Sequence, residues 1–332
     1  MFPYSNSVYI EDELKVNARL KINSGIHASM FNVHGTTYSS IQPRLNARYI
    51  IREDLSIKAA VSKMTQYILL LTNSGIGLPT DLWLPVTENI KPQQSWQYAA
   101  GIFHDLNDAY EISLEGFYKS MSNLIEYTEG ADFFSASQSW QDKIVAGKGQ
   151  AYGAEVLIRK NKGSTTGWIG YTLSWGTRQF DDLNFGKPFP YRYDRRHDIG
   201  MAISHKLNDN VDFGLVWVYG TGNAVSLPIE KYPGTGINPS TSYYSDIQYY
   251  DGRNGFRAPA YHRLDIGVNF HKELKRGERT WSFNIYNVYN RKNPFMIYFS
   301  NENDGISSSS SARLKQISLF PFIPSFSYSF KF

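Results

Sequence analysis

Along almost the whole chain apolar and polar side chains alternate with a period of two, and the last stretch shows it best. Phe326, Tyr328, Phe330 and Phe332 alternate there with Ser327, Ser329 and Lys331. In an extended strand successive side chains point to opposite faces, so the four rings line one side and the serines and the lysine the other. A strand of a water-soluble sheet buries its aromatics beneath a second layer and seldom stops on a buried one. Here the carboxylate of Phe332 closes the chain, which suits a ring at a membrane–water interface, as in transmembrane barrels with aromatic girdles.

The pattern repeats with the same sense. Leu20, Ile22, Ile26, Ala28 and Met30 oppose Lys21, Asn23, Gly25, His27 and Ser29; Leu45, Ala47 and Tyr49 oppose Arg44, Asn46 and Arg48; Leu264, Ile266, Val268 and Phe270 oppose Arg263, Asp265, Gly267 and Asn269. A first strand is expected over Val8 to Val16, and a loop through Gly35 separates the second from the third. Short turns, such as Arg52-Glu53-Asp54, Leu106-Asn107-Asp108 and Asn161-Lys162-Gly163, alternate with long loops over 67–92, 179–192 and 221–258, and a serine run, Ser307 to Ser311, precedes the final strand. The count predicts about thirteen strands. The fold class is therefore all-β, a transmembrane antiparallel barrel with short periplasmic turns and long extracellular loops. A soluble sandwich mixes connection lengths at both ends, which makes the alternative of a soluble carbohydrate-binding β protein a poor fit.

Composition agrees. The 332 residues include 24 Tyr, 20 Phe and 7 Trp, yet mean hydropathy is negative. A lipid-facing band around a wet lumen combines the two, because only every second residue must be apolar. There is no cysteine, so neither a disulfide framework nor a thiolate metal site is open to the chain. No apolar run is long enough for a transmembrane helix, and a net charge of +4 gives no case for a nucleic-acid partner. The N-terminus, Met1-Phe2-Pro3-Tyr4-Ser5-Asn6-Ser7, lacks a signal peptide's charged start and apolar core, so the chain is expected to begin within a longer protein.

No nucleophile–base–acid arrangement and no metal-ligand spacing of histidines emerges, so no enzyme, cofactor or metal is expected. Charge collects where alternation turns it inward: Arg44, Arg48, Arg196, Asp198, Arg263 and Asp265. On the lipid face such charges cost about 2–4 kcal/mol at mid-depth; in the lumen they either contact a ligand or form a ladder of cross-strand ion pairs. Among the loop aromatics Phe133, Phe134, Trp140, Tyr243, Tyr244, Tyr249 and Tyr250, the rings either stack on a sugar or siderophore or pack the loops on one another.

The segment Leu314 to Pro324 with the Phe-Ser-Tyr-Ser-Phe-Lys-Phe ending resembles the C-terminus of TonB-dependent outer-membrane receptors, particularly of Bacteroidetes type. So do Tyr193-Asp194-Arg195-Arg196-His197-Asp198, Tyr261-His262-Arg263-Leu264-Asp265, Asn284-Ile285-Tyr286-Asn287-Val288-Tyr289-Asn290, and Asn89-Ile90-Lys91-Pro92-Gln93 after the loop Leu78-Pro79-Thr80-Asp81-Leu82-Trp83. The resemblance covers essentially the whole chain. It implies the C-terminal part of a barrel of about 22 strands that takes up a large scarce nutrient, a siderophore, cobalamin or glycan, across the outer membrane of a Gram-negative bacterium. It implies outer-membrane lipid and the barrel-assembly machinery as partners, the latter reading Phe326, Tyr328, Phe330 and Phe332, and TonB only through a plug domain. Plug, signal peptide and the other strands have no counterpart in residues 1–332. The alternative is a passive porin-like or self-contained barrel.

Overall fold

A computed structural model describes residues 3–33, 35–72, 81–129, 131, 139–228, 230–233, 246–302 and 311–332. Thirteen long strands form one antiparallel ladder: β1 (Tyr4–Lys15), β2 (Leu20–Val33), β3 (Thr36–Arg52), β4 (Leu55–Gln66), β5 (Gln93–Asn107), β6 (Tyr110–Tyr127), β7 (Ile144–Lys160), β8 (Thr165–Gln179), β9 (His197–Asn208), β10 (Val211–Gly220), β11 (Tyr261–Leu274), β12 (Gly277–Tyr286) and β13 (Ile323–Lys331). Each pairs with its sequence neighbours, so β1 and β13 have one partner each along the ladder.

The registers carry one apolar face across every strand. Ile10 opposes Ile26, Ile57 opposes Ile102, Ile102 opposes Leu114, Leu114 opposes Val156, Val156 opposes Tyr171, Tyr171 opposes Ile199 and Phe283 opposes Phe326. These residues are not covered: Ile10 is 72% exposed, Ile41 65% and Phe326 58%. Left in water, an unbroken apolar face of this extent costs about 25 cal/mol for each Å²; facing lipid, it costs nothing. Aromatic pairs rim the band at both heights. Towards the loops Tyr152 stacks on Trp175 at 5.4 Å and Tyr219 on Trp217 at 6.2 Å; towards the turns Trp281 lies 4.7 Å from Tyr328, and Phe330 4.9 Å from Phe332. Among the described residues no helix is long and apolar enough to cross a membrane.

Asparagines shape several of the short turns. Asn17 Oδ1 accepts from the amides of Arg19 and Leu20, both at 2.8 Å, Asn107 Oδ1 from those of Ala109 and Tyr110, and Asn208 Oδ1 from that of Asn210. An asparagine side chain that replaces a backbone acceptor two or three residues back lets the chain reverse within a few residues.

The loop side departs from expectation in four places. β1 starts at Tyr4 rather than Val8. β2 and β3 pair up to Val33 and Thr36, where a loop through Gly35 was expected. Polar rungs above the apolar band hold this extension, with Asn32 donating to Thr37 at 2.7 Å and Gln42 to Ser29 at 2.9 Å. The 67–92 connection contains a hairpin, Ile68–Leu71 with Leu82–Pro85, and its Leu69, Leu71 and Val86 join Phe31, Val33, Ile125 and Tyr127 in a buried apolar cluster. Met296–Glu302 pairs with Ser311–Ile317, so a hairpin takes up part of the region of the serine run; 307–310 lie outside the described residues.

Candidate functional site

Above the apolar band the loops are joined by two buried carboxylates. Glu126, at the end of β6, is 2% exposed and accepts from Arg178 of β8 at 2.9 Å and from Arg253 of the β10–β11 loop at 3.2 Å. Arg178 also donates to the carbonyl of Ile125 at 3.2 Å and lies 3.8 Å over the ring of Tyr191. Asp194, likewise 2% exposed, accepts from the amide of Gly176 at 2.6 Å, pairs with Arg196 at 3.5 Å and binds Arg257. A buried carboxylate survives desolvation only when several charge-assisted hydrogen bonds satisfy it, and both have them. Arg253 and Arg257 belong to one short segment. Between them Asn254 donates from its side chain to the carbonyl of Pro190 at 2.9 Å and from its amide to Ser226 Oγ at 3.0 Å. The longest loop is thereby tied to the ends of β6 and β8 and to the β8–β9 connection.

Aromatic side chains stand out around this knot. Phe185 is 98% exposed, with a φ of 57° that bulky residues rarely adopt. Its neighbour Asn184 accepts from the amide of Arg253 at 3.1 Å, which brings Phe185 beside the segment that follows Tyr249 and Tyr250. Both tyrosines are exposed, as is Trp83 in the hairpin of the 67–92 connection. Tyr193 donates to Asp81, and burial first, then this hydrogen bond, pushes its phenol up to about 12.

The inward charges expected from alternation divide into two groups. Arg263 pairs with Asp265 at 2.9 Å and donates to Tyr286 at 2.7 Å, while Asp265 accepts from the amide of Asn287 at 2.9 Å. Arg196 pairs with Asp194, its guanidinium 4.5 Å over Trp175, and Asp198 pairs instead with Arg195 at 3.2 Å. These four are occupied by intramolecular partners. Arg44 and Arg48 stand exposed on the polar face of β3, without an ion pair or hydrogen bond among the described residues. Trp140 packs against the buried loop cluster. Tyr243, Tyr244, Phe133 and Phe134 lie outside the described residues. Phe326 and Tyr328 are exposed on the apolar face of β13, and Phe332, just beyond its end, is exposed as well.

Sequence reasoning missed Glu126, Arg178, Arg253 and Arg257, single charges 52 to 127 residues from their partners. Asp194 and Asn287 lay inside quoted motifs, though their roles were not read. Asn287 is fully buried and holds a turn with its side chain: it donates to the carbonyls of Arg291 and Phe320 and accepts from the amide of Arg291. Its φ of 55° suits asparagine. Among the described residues no three His, Asp or Glu side chains are placed to hold a metal ion. The loop side offers stacking rings and hydrogen-bond donors, an arrangement for binding.

Comparison with known proteins agrees with this architecture. The family described as TonB dependent receptor-like, beta-barrel, matches residues 3–290. Among solved structures, the ferripyoverdine receptor of the outer membrane of Pseudomonas aeruginosa superposes over 98% of this chain and 38% of its own, with a TM-score of 0.59 and 15% identity. The FrpB iron transporter from Neisseria meningitidis covers 98% of this chain and 45% of its own, with a TM-score of 0.61 and 12% identity. The ferric yersiniabactin uptake receptor from Yersinia pestis covers 94% and 44%, with 0.58 and 14%. At these identities the likeness is one of fold, and the chain spans less than half the length of each. No curated protein matches the chain.

Proposed function

The chain belongs to the TonB-dependent receptor-like β-barrel family, and from that premise we propose that it forms part of the wall and loops of an outer-membrane receptor taking up a large, scarce nutrient. The family is one of outer-membrane receptors. The candidate nutrients are a siderophore, cobalamin or a glycan, bound on the loop side and passed through the lumen, with no reaction catalysed on it. One observation carries the reading: a single ladder exposes an unbroken apolar face outward and keeps its polar face inward, with the long connections gathered at one end. Tyr249, Tyr250, Trp83 and Phe185 are the loop rings we assign to ligand contact, with Arg44 and Arg48 on the path below. Tyr243, Tyr244 and Trp140 remain second-line contacts, as do Arg196, Asp198, Arg263 and Asp265, because the described members of that group already have partners or packing.

On this reading a plug carried outside the chain makes the contact with TonB, and further strands complete the barrel by pairing with the free edges of β1 and β13, since unpaired edges in lipid leave backbone groups unsatisfied. Outer-membrane lipid covers the apolar face. The barrel-assembly machinery engages β13 through Phe326, Tyr328, Phe330 and Phe332, and the C-terminal segments quoted above favour a receptor of Bacteroidetes type. The family match favours an energised receptor over a passive porin.

Titrating the purified protein in detergent with ferric siderophores, cobalamin and oligosaccharides, and following tryptophan fluorescence, tests the ligand assignment. A saturable response to one class, lost in Tyr249→Ala/Tyr250→Ala and weakened in Phe185→Ala, is expected. No response to any class, or one indifferent to these substitutions, overturns it.

A further inference from the structure

Followed through the register from β5 to β13, the apolar face carries no aspartate or glutamate among the described strand residues. Its lysines and arginine lie only near the strand ends: Lys148 towards the loops, and Lys160, Lys272 and Arg279 towards the turns. Lys160 ends β7, its ammonium 5.5 Å from the ring centroid of Tyr110. Lys272 and Arg279 stand directly opposite each other across β11 and β12, and Arg279 is also opposite Phe330 of β13. Neither makes an ion pair or a side-chain hydrogen bond among the described residues, and Arg279 Nε is buried without a hydrogen-bond partner. Like charges directly opposite one another destabilise a sheet, and the repulsion grows at a membrane boundary, where the dielectric falls below that of water.

The hairpin that carries this pair gathers positive charge at its tip, where Lys275 and Arg276 make the turn between Leu274 and Gly277. Its two carboxylates, Glu273 and Glu278, are opposite each other on the polar face, where Glu278 lies 3.1 Å from His271. The neighbouring β9–β10 turn, whose Asn210 carbonyl accepts from the amide of His271, brings Asp209, which makes no ion pair among the described residues. One rung further into the apolar band, Phe270, Trp281 and Tyr328 stand in register on the same face as the two cations. Tryptophan and tyrosine on an outward face mark the level of lipid headgroups, so Lys272 and Arg279 lie at that level, on the turn side.

We propose that Lys272 and Arg279 bind the phosphodiester of an anionic phospholipid in the turn-side leaflet, its acyl chains lying over Phe270, Trp281 and Phe326. Charge complementarity identifies the occupant, since clustered lysine and arginine at a membrane surface attract anionic headgroups. The rings one rung above the cations suit acyl chains, which a free phosphate lacks. A zwitterionic headgroup would bring an ammonium, for which these outward strand positions hold no carboxylate. The proposal deepens the lipid contact of the proposed function and rests on the outward assignment of the apolar face.

Trp281, opposite both Phe270 and Tyr328, reports on the site. Bromine on an acyl chain quenches tryptophan at contact, and subtracting the signal of the matching Trp281→Phe protein isolates this ring from the others. In bilayers of brominated phosphatidylcholine Trp281 should be quenched; an unquenched Trp281 overturns the outward assignment itself. The brominated chains are then confined to a minor lipid fraction, carried by phosphatidylglycerol or by phosphatidylcholine in an unbrominated phosphatidylcholine bilayer. Phosphatidylglycerol should occupy the site about tenfold more strongly. Equal quenching by the two headgroups overturns the proposal.

In Lys272→Gln/Arg279→Gln the preference should fall to near unity while brominated phosphatidylcholine still quenches Trp281, which shows the rung in place. Lys272→Arg/Arg279→Lys, which keeps both charges, and Lys148→Gln, at the other end of the strands, should each retain it. A preference that survives the glutamine pair, or is lost equally in Lys148→Gln, overturns the assignment to these two residues. Glycerol phosphate in large excess should leave the preference unchanged. Its loss under that competition overturns the lipid assignment in favour of a general phosphate site.

Discussion

Two regions of this wall use the same residue types to opposite ends. In the loop knot Glu126 and Asp194 are buried, and each gathers two arginines from separate parts of the chain. On the inner face Arg44, Arg48, Lys58, Glu115 and Glu155 stand in register with neutral residues or like charges. The difference follows from the medium. The loops lack the continuous ladder that holds the strands, so desolvated ion pairs fix their relative positions, and breaking one leaves an uncompensated buried charge. The polar face of the ladder leaves Arg44, Arg48, Lys58 and Glu155 exposed, where an ion pair is worth little and a like-charge neighbour costs little. Charge there is informative about what lies against the wall, and charge in the knot about how the wall's loops are held.

The comparison breaks first at Glu126. Glu126→Ala leaves Arg178 and Arg253 without their carboxylate in a buried setting, and about 3–5 kcal/mol of local stability should go with it. Hydrogen exchange should then rise across 251–257 and the outer end of β8, whereas Arg48→Ala should leave stability within about 0.5 kcal/mol. Equal effects of the two would erase the distinction. The two faces of one strand separate next: Val156→Arg, towards lipid, should cost about 2–4 kcal/mol in urea unfolding from bilayers, against little for Glu155→Arg beside it.

Asn287→Ala sharpens the case for the knot as one example of buried polar satisfaction. It removes the partner of two carbonyls and one amide and should cost about 1–3 kcal/mol, read as faster proteolysis between β12 and β13. The smallest effect concerns pH. The Tyr193 phenol is raised from its ordinary 10.0 to about 12, so its neutral form favours the folded loops. That contribution is complete below pH 10 and lost as pH rises towards 12. Absorbance at the tyrosinate band should lose one late-titrating group in Tyr193→Phe, and the 189–196 connection should loosen over the same interval.

The motifs marked by resemblance turn out to be structural in their best-defined members. Asp194 holds the knot, Asp265 caps the turn after β12, and Asn287 closes it. Their spacing could be read from the chain, but their partners could not: Arg257 is 63 residues from Asp194, and Arg253 is 127 from Glu126. The hairpin within 67–92 escaped for a related reason, since its short apolar runs are explained only by the cluster they complete with Phe31 and Ile125.

What the sequence by itself determined is the ladder: thirteen strands, their polar and apolar faces, and the turns at one end. Side-chain direction in a strand is set by local backbone geometry, so a period of two declares both faces wherever one must be apolar. Tertiary structure alone decided which charges meet. Arg196 and Asp198, two residues apart, find different partners, while Glu126 takes up one arginine from β8 and another from the β10–β11 loop. Such pairings depend on which connections close over which, and on whether the contact is sealed from water, neither of which is written in the spacing of residues along the chain.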